Sequence, residues 1–211
     1  MEEKPFLVCL NETFLTKAVE NVELEGYQVL ARRDRQGQWG GGILVFVLDE
    51  YFPRVTLVAE SASAERIWAI VHSDQGPYLV CCWYRPPNPG NIETIESFET
   101  EYNRYKEGAV GVFVLGDLNV HSIRWLRHSA RESIEGRALF EVASKLGLQQ
   151  KVKEPTRKQY ILDLVITDVT DCTAKTVAAV AGQRVVLATV KLKFLETASH
   201  QRELLHKELD W

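Results

Sequence analysis

Four short segments of this chain set polar or charged groups at the ends of apolar runs, where they could act on a phosphodiester. In Leu10-Asn11-Glu12-Thr13 a carboxylate directly follows an apolar strand, and such a carboxylate offers a hard oxygen ligand of the kind Mg²⁺ takes. Taken alone, it is equally ordinary turn chemistry. In Trp83-Tyr84-Arg85-Pro86-Pro87 two prolines force an extended exit from a strand. The Tyr84–Arg85 pair could hydrogen-bond a phosphate, or be a packed aromatic beside a surface arginine.

The strongest segment is Val112-Phe113-Val114-Leu115-Gly116-Asp117-Leu118-Asn119, a buried strand running through glycine into an acid and an amide two residues apart. Strand alternation points Asp117 and Asn119 the same way. One can orient or deprotonate a water while the other holds a phosphate oxygen; the competing reading is an Asx-type turn. In Tyr160-Ile161-Leu162-Asp163-Leu164-Val165-Ile166-Thr167 a single acid interrupts an apolar strand. Burying it costs free energy unless it has a partner or a function. A histidine would be the natural partner, yet none lies between Asp163 and His200.

The elements that must hold these groups are mostly strands. Apolar, β-branched runs recur at Phe6–Leu10, Gly42–Leu48, Arg66–His72, Tyr78–Tyr84, Val110–Leu115, Ile161–Thr167 and Val185–Phe194. Several are apolar almost continuously, as expected of strands covered on both faces. Ile95, Phe98, Tyr102 and Tyr105 instead recur at helical spacing, as do Leu139, Val142, Ala143 and Leu146, with Gly147 placed to end the second helix. A further short helix is predicted after Glu12. The pattern predicts an α+β fold of two packed, mainly antiparallel sheets flanked by helices, with Val110–Leu115, Ile161–Thr167 and Val185–Phe194 central. One domain is expected over residues 1–195, followed by a polar tail or linker start over 196–211.

The 211 residues, 45% of them hydrophobic, suffice for one well-buried domain. No apolar run approaches the ~20 residues that cross a bilayer, and the acidic Met1-Glu2-Glu3-Lys4-Pro5 start is unlike a secretory signal. Cys9, Cys81, Cys82 and Cys172 lie in or beside apolar stretches without metal-type spacing, which reads as reduced core cysteines in an intracellular protein. A net charge of −4 argues against indiscriminate coating of nucleic acid, but a nuclease needs basic residues in one cleft only. Arg32, Arg33 and Arg35, then Arg124, Arg127 and Arg131, then Arg157 and Lys158 are the clusters available. No membrane partner is expected, and a monomer is.

Taken in order, Glu12 after its strand, Tyr84-Arg85-Pro86-Pro87, Gly116-Asp117-Leu118-Asn119, Asp163 and a final strand resemble the endonuclease/exonuclease/phosphatase superfamily. Within it, the chain is most similar to the apurinic-type endonuclease domain of non-LTR retrotransposons, over roughly residues 6 to 195. Trp125-Leu126-Arg127, Gly147-Leu148-Gln149-Gln150 and Glu154-Pro155-Thr156-Arg157 add to the likeness. The resemblance implies a four-layer α/β/β/α sandwich of two mixed, mainly antiparallel sheets, with the site at one end. It implies that Glu12 binds Mg²⁺, that Tyr84 lies beside the scissile phosphate, and that Asp117 and Asn119 position the attacking water and a phosphate oxygen. Asp163 would hold the family's catalytic histidine. The implied reaction is hydrolysis of DNA phosphodiester bonds, and the implied partners are DNA and the reverse transcriptase domain of a longer ancestral polyprotein.

Two departures stand out. The family's first strand, with an asparagine near the metal, precedes its glutamate strand; here Glu12 is reached almost at once, so that strand is missing. The family also carries Asp-His just ahead of its last strand, where this chain reads Ala181-Gly182-Gln183 before an intact Arg184-Val185-Val186-Leu187-Ala188-Thr189-Val190. Gln183, at the position of the family histidine, can donate a hydrogen bond but cannot exchange a proton near neutral pH. Gly182 removes a carboxylate from the metal's surroundings. Losing members of such a unit commonly costs orders of magnitude in rate. Three readings follow: an endonuclease fold with impaired catalysis, an active phosphodiesterase or phosphatase using another base such as His121, and a non-catalytic nucleic-acid-binding module.

Overall fold

The computed structural model describes residues 4–35, 37, 40–180 and 183–194, so the tail expected over 196–211 lies outside the described residues. The strands are β1 (Leu7–Asn11), β2 (Tyr27–Arg33), β3 (Ile43–Leu48), β4 (Val55–Glu60), β5 (Glu65–Ser73), β6 (Gly76–Tyr84), β7 (Gly111–Asp117), β8 (Gln149–Gln150), β9 (Asp163–Thr167), β10 (Thr173–Val180) and β11 (Gln183–Thr189). Helix α1 (Glu93–Tyr105) joins β6 to β7, and α2 (Ile134–Lys145) lies between β7 and β8. A six-stranded sheet has the order β4-β5-β6-β7-β9-β8, a three-stranded sheet the order β1-β3-β2, and β10 pairs with β11 as a hairpin. Every pairing is antiparallel except β6 with β7. That single parallel pair needs a long crossover, which α1 supplies.

The near-continuous apolar runs become strands covered on both faces. In β3, Ile43, Leu44, Val45, Phe46 and Val47 are all buried, as are Leu79 to Tyr84 in β6. The three-stranded sheet packs on the larger one, β1 against β6 and β7 and β3 against β5 and β6. Helix α1 covers the other face of the larger sheet. Its Phe98 stacks on Trp68 of β5 at 5.7 Å and on Trp83 of β6 at 5.1 Å. Offset aromatic pairs of this kind add roughly 0.5–1.5 kcal/mol beyond area burial.

A fully buried cation pins α1 to the sheet. Arg66 of β5 lies 4.5 Å over the Trp83 ring and donates from Nε to Glu101 Oε2 at 3.1 Å. Its Nη2 reaches Ser97 Oγ at 2.8 Å and its Nη1 the Thr94 carbonyl. Trp68 Nε1 donates to the same Glu101 oxygen at 2.7 Å. Helix α2 lies beside α1, is capped by Ser133, whose hydroxyl accepts from the Gly136 amide at 3.0 Å, and ends at Gly147 with φ +71°. There Leu148 N–H bonds the Ala143 carbonyl at 2.8 Å, a Schellman closure.

Two expectations need correction. The strand in Val185–Phe194 is not central: among the described residues β11 pairs only with β10, and it stops at Thr189. Its apolar continuation packs instead, with Phe194 stacked on Phe6 at 5.6 Å and lying 5.0 Å from Tyr51. No helix follows Glu12 either; the segment to Leu24 is an extended loop with one turn. Arg32 of β2 holds it open, donating from Nη1 to the Val19 carbonyl at 2.5 Å and from Nη2 to the Thr16 carbonyl at 2.7 Å.

Candidate active site

The ends of β1, β6, β7 and β9 meet at one end of the sheets, and the predicted polar residues meet with them. β7 and β9 pair antiparallel with Asp117 directly opposite Asp163. Tyr84, the last residue of β6, donates its hydroxyl to Glu12 Oε1 at 2.8 Å, across 72 positions of chain. The Asn119 amide N–H donates to Asp117 Oδ1 at 3.1 Å, and Asn119 Nδ2 donates to the Arg85 carbonyl at 2.9 Å. The Arg85 N–H closes the circuit on the Asp117 carbonyl at 2.9 Å. Glu12, Tyr84, Asp117, Asn119 and Asp163 are thus neighbours.

Local backbone geometry makes this convergence possible. Gly116 has φ +145°, and a Cβ there would fall 1.9 Å from the Trp83 carbonyl oxygen and 2.9 Å from Asn11 Nδ2. Only glycine lets β7 come this close to β6 and β1. Glu12 at φ +53° and Asn119 at φ +47° both occupy the left-handed region. Asparagine tolerates it; for glutamate it is a strained choice of the kind that clusters at functional sites.

The electrostatics are those of crowded carboxylates in a dry place. Burial, reinforced by the neighbouring Asp163 and Glu12, pushes the Asp117 carboxyl up to about 7. Burial also raises Asp163, opposed by the Thr156 hydroxyl and by Arg157. The two acids face each other across the β7–β9 pairing, and the charge of Asp163 is, after burial, the next cause that raises Asp117. Burial and the bond to Glu12 push the Tyr84 phenol far above its usual range, so it remains a donor. The Arg35 guanidinium, paired to Glu65 at 2.6 Å, lies 5.3 Å from the Tyr84 ring centroid.

Such a cluster attracts a cation, which tests whether the residues suit a metal. Among the described residues no group of three or more His, Cys, Asp or Glu side chains is disposed to hold a metal ion. Glu12, whose Oε1 accepts the Tyr84 hydroxyl, is the carboxylate that would serve as a single oxygen ligand to a hydrated Mg²⁺.

Sequence reasoning missed several residues here. Thr156 Oγ1 accepts from the Leu162 and Asp163 amides at 3.0 and 3.1 Å, locking the turn that enters β9. Arg157 stands close enough to lower both Asp117 and Asp163. For Arg157 the signals were the Arg157–Lys158 basic pair and the Thr156-Arg157 wording; a tight turn, with Arg157 and Tyr160 in mutual backbone hydrogen bonds, brings the arginine back to the site. Asn11 also approaches Gly116.

Arg85 requires a correction. It is 2% exposed and donates to the carbonyls of Pro86, Asn88 and Asn91 at 3.3, 3.0 and 2.8 Å, with Glu135 Oε1 at 3.9 Å. Its Nη1 and Nη2 donate to the loop and its Nε is buried, so it is not the surface arginine of one sequence reading. Gly182 lies outside the described residues. Gln183 begins β11, but its side chain is outside them, so the partner of its amide is too.

Residues 78–181 match a protein family described as endonuclease-reverse transcriptase. Among solved structures, the chain is similar to the endonuclease domain of TRAS1, a telomere-specific non-LTR retrotransposon, with TM-score 0.64 and 14% identity over 90% of this chain and 87% of that one. It is also similar to an endonuclease/exonuclease/phosphatase from Beutenbergia cavernae, with TM-score 0.54 and 12% identity over 90% of this chain and 63% of that one. At such identities the likeness is one of fold. No curated protein matches the sequence. No described helix is long and apolar enough to cross a membrane.

Proposed function

We propose that this chain, whose residues 78–181 match a family described as endonuclease-reverse transcriptase and whose fold is similar to that of a retrotransposon endonuclease domain, is a retroelement-derived endonuclease-like domain whose inherited reaction, Mg²⁺-dependent hydrolysis of DNA phosphodiester bonds, is strongly impaired. The observation carrying this reading is the meeting of Glu12, Tyr84, Asp117, Asn119 and Asp163 at one end of the sheets, combined with Gly182-Gln183 where the family has Asp-His.

Each residue has a part in that reaction. Glu12 would hold Mg²⁺, whose positive charge, when bound, stabilises the charge that develops on phosphate oxygens. Tyr84, kept protonated, donates beside the scissile phosphate. Asn119 holds a phosphate oxygen, and Asp117 orients the attacking water. Asp163 is left without an imidazole to orient, and Gln183 cannot deliver a proton. The carboxylate at 163 is satisfied by its own turn through Thr156, so the fold tolerates the loss. DNA and a reverse transcriptase domain in a longer polyprotein are the partners this origin implies.

His121 as a substitute base has less support. Its ring packs edge-on against Tyr160 at 4.9 Å, and no hydrogen bond between it and Asp163 is found among the described residues. Nicking of supercoiled and abasic plasmid tests the proposal. Background activity in Mg²⁺ supports it, and robust nicking abolished by Glu12→Ala contradicts the impairment. Salt-dependent DNA affinity without cleavage would favour a binding module.

A further inference from the structure

A cavity of about 310 Å³ is lined by His121, Ala130, Arg131 and Tyr160, to which none of the roles above assigns a use. It is wired to the site through the chain on both sides. His121 follows Asn119 by two residues, and Tyr160 ends the Arg157–Tyr160 turn that Thr156 ties to Asp163. The His121 and Tyr160 rings meet edge-on, 78° between planes, which leaves aromatic surface for a flat ligand. The His121 backbone is clamped: its carbonyl accepts the Ser133 amide at 2.9 Å and the Ser133 hydroxyl at 3.0 Å. A Cβ at Gly136 would stand 2.0 Å from that carbonyl oxygen. Its imidazole, by contrast, is held by no protein hydrogen bond at Nδ1, which is buried and without a partner. Burial, with the nearby Arg131, lowers its pKa, so the ring is neutral and suited to stacking.

The other basic groove, at Arg32, Arg33 and Arg35, is already neutralised by Asp34, Glu60 and Glu65. Arg131 has no ion pair among the described residues and is free to meet an anion. An aromatic wall of His121 and Tyr160 and an unpaired guanidinium, in a space at the lower end of small-ligand pockets, are the chemistry that recognises a nucleotide.

We propose that this cavity holds one nucleotide unit of the bound strand, its base against the His121 and Tyr160 rings and its phosphate on Arg131. The proposal deepens the reading of the site as a DNA phosphodiester site and rests on it, because His121 and Tyr160 lie on the segments that leave Asn119 and enter Asp163.

The test is a titration of the whole chain with thymidine 5′-monophosphate, followed through the His121 ring resonances, with inorganic phosphate as a separate arm. Saturable shifts with the nucleotide are expected, about ten-fold weaker in Arg131→Gln and in Tyr160→Ala and retained in Tyr160→Phe. Arg131→Gln changes an exposed loop and keeps the test valid should Tyr160→Ala unfold. No shift of His121, an equal response to phosphate alone, or affinity unchanged in both variants would overturn the proposal. Duplex DNA affinity is measured alongside. Its absence while the nucleotide still binds would defeat the endonuclease reading, whereas DNA binding without any His121 response would defeat the nucleotide site alone.

Discussion

Asp117 and Asp163 stand directly opposite one another on antiparallel strands β7 and β9, where like charges repel and destabilise a sheet. A sequence shaped only for stability would avoid this pairing. The relation ties together two acids 46 positions apart, and Arg157 and Thr156 moderate it.

Stability should therefore fall as pH rises from 5 to 8. The Asp117 carboxyl goes from an ordinary 3.8 in the unfolded chain to about 7 when folded. The folded state binds the extra proton in that window, and its advantage disappears as the proton leaves. Asp117→Asn keeps an acceptor for the Asn119 amide and removes the charge. It should flatten the profile and stabilise the protein at pH 8 by on the order of 3 kcal/mol. Urea unfolding in EDTA measures this; wild-type stability that rises over the same range would refute it.

Gly116→Ala should be severely destabilising. The new methyl would meet the Trp83 carbonyl at 1.9 Å, at a φ of +145° that alanine avoids. A loss above ~2 kcal/mol in unfolding free energy is expected, and a loss below half of that would mean the strands can separate without cost.

Breaking the Arg66–Glu101 pair should cost more than removing both members. Glu101→Leu leaves a guanidinium with no exposure to water and no carboxylate, and the loss should be about 3–5 kcal/mol. The Arg66→Met/Glu101→Leu double variant should recover part of it in a double-mutant cycle. Additive losses would show that the two groups act independently.

How much of this was readable in advance divides along physical lines. The strands β3, β6 and β7 announce themselves because both faces are buried and the runs are apolar throughout. Helix α1 does so because Ile95, Phe98 and Tyr102 all face the sheet. β2 and β4 were missed because one side of each is wet, so Tyr27-Gln28-Val29 and Val55-Thr56-Leu57 mix polar with apolar residues. The convergence of Glu12, Tyr84, Asp117, Asn119 and Asp163 was legible because each lies at or within two residues of the end of an apolar strand. Thr156 was not, and Arg157 stood out only as one of several basic residues, because the Arg157–Tyr160 turn that positions it leaves no strand or helix pattern. Arg85 was misread because its burial depends on a loop carbonyl cluster that no local pattern encodes.

The outer edge of β1 has no strand partner among the described residues, since β1 pairs only with β3. An open edge is a liability for stability and solubility. A chain extended upstream by an apolar strand should melt at a higher temperature by calorimetry; an unchanged melting temperature would show that the edge is already protected.

In the proposed reading the fold and the Glu12–Tyr84–Asp117–Asn119–Asp163 cluster persist while Gly182-Gln183 stands in place of a proton-transferring pair. Plasmid nicking in Mg²⁺ by the unaltered chain and by Gly182→Asp/Gln183→His tests it most directly. The unaltered chain should stay at background, the double variant should regain part of the activity, and Gln183→His alone should regain less, because the carboxylate at 182 would still be missing. Robust Mg²⁺-dependent nicking by the unaltered chain, abolished by Glu12→Ala, would contradict the account.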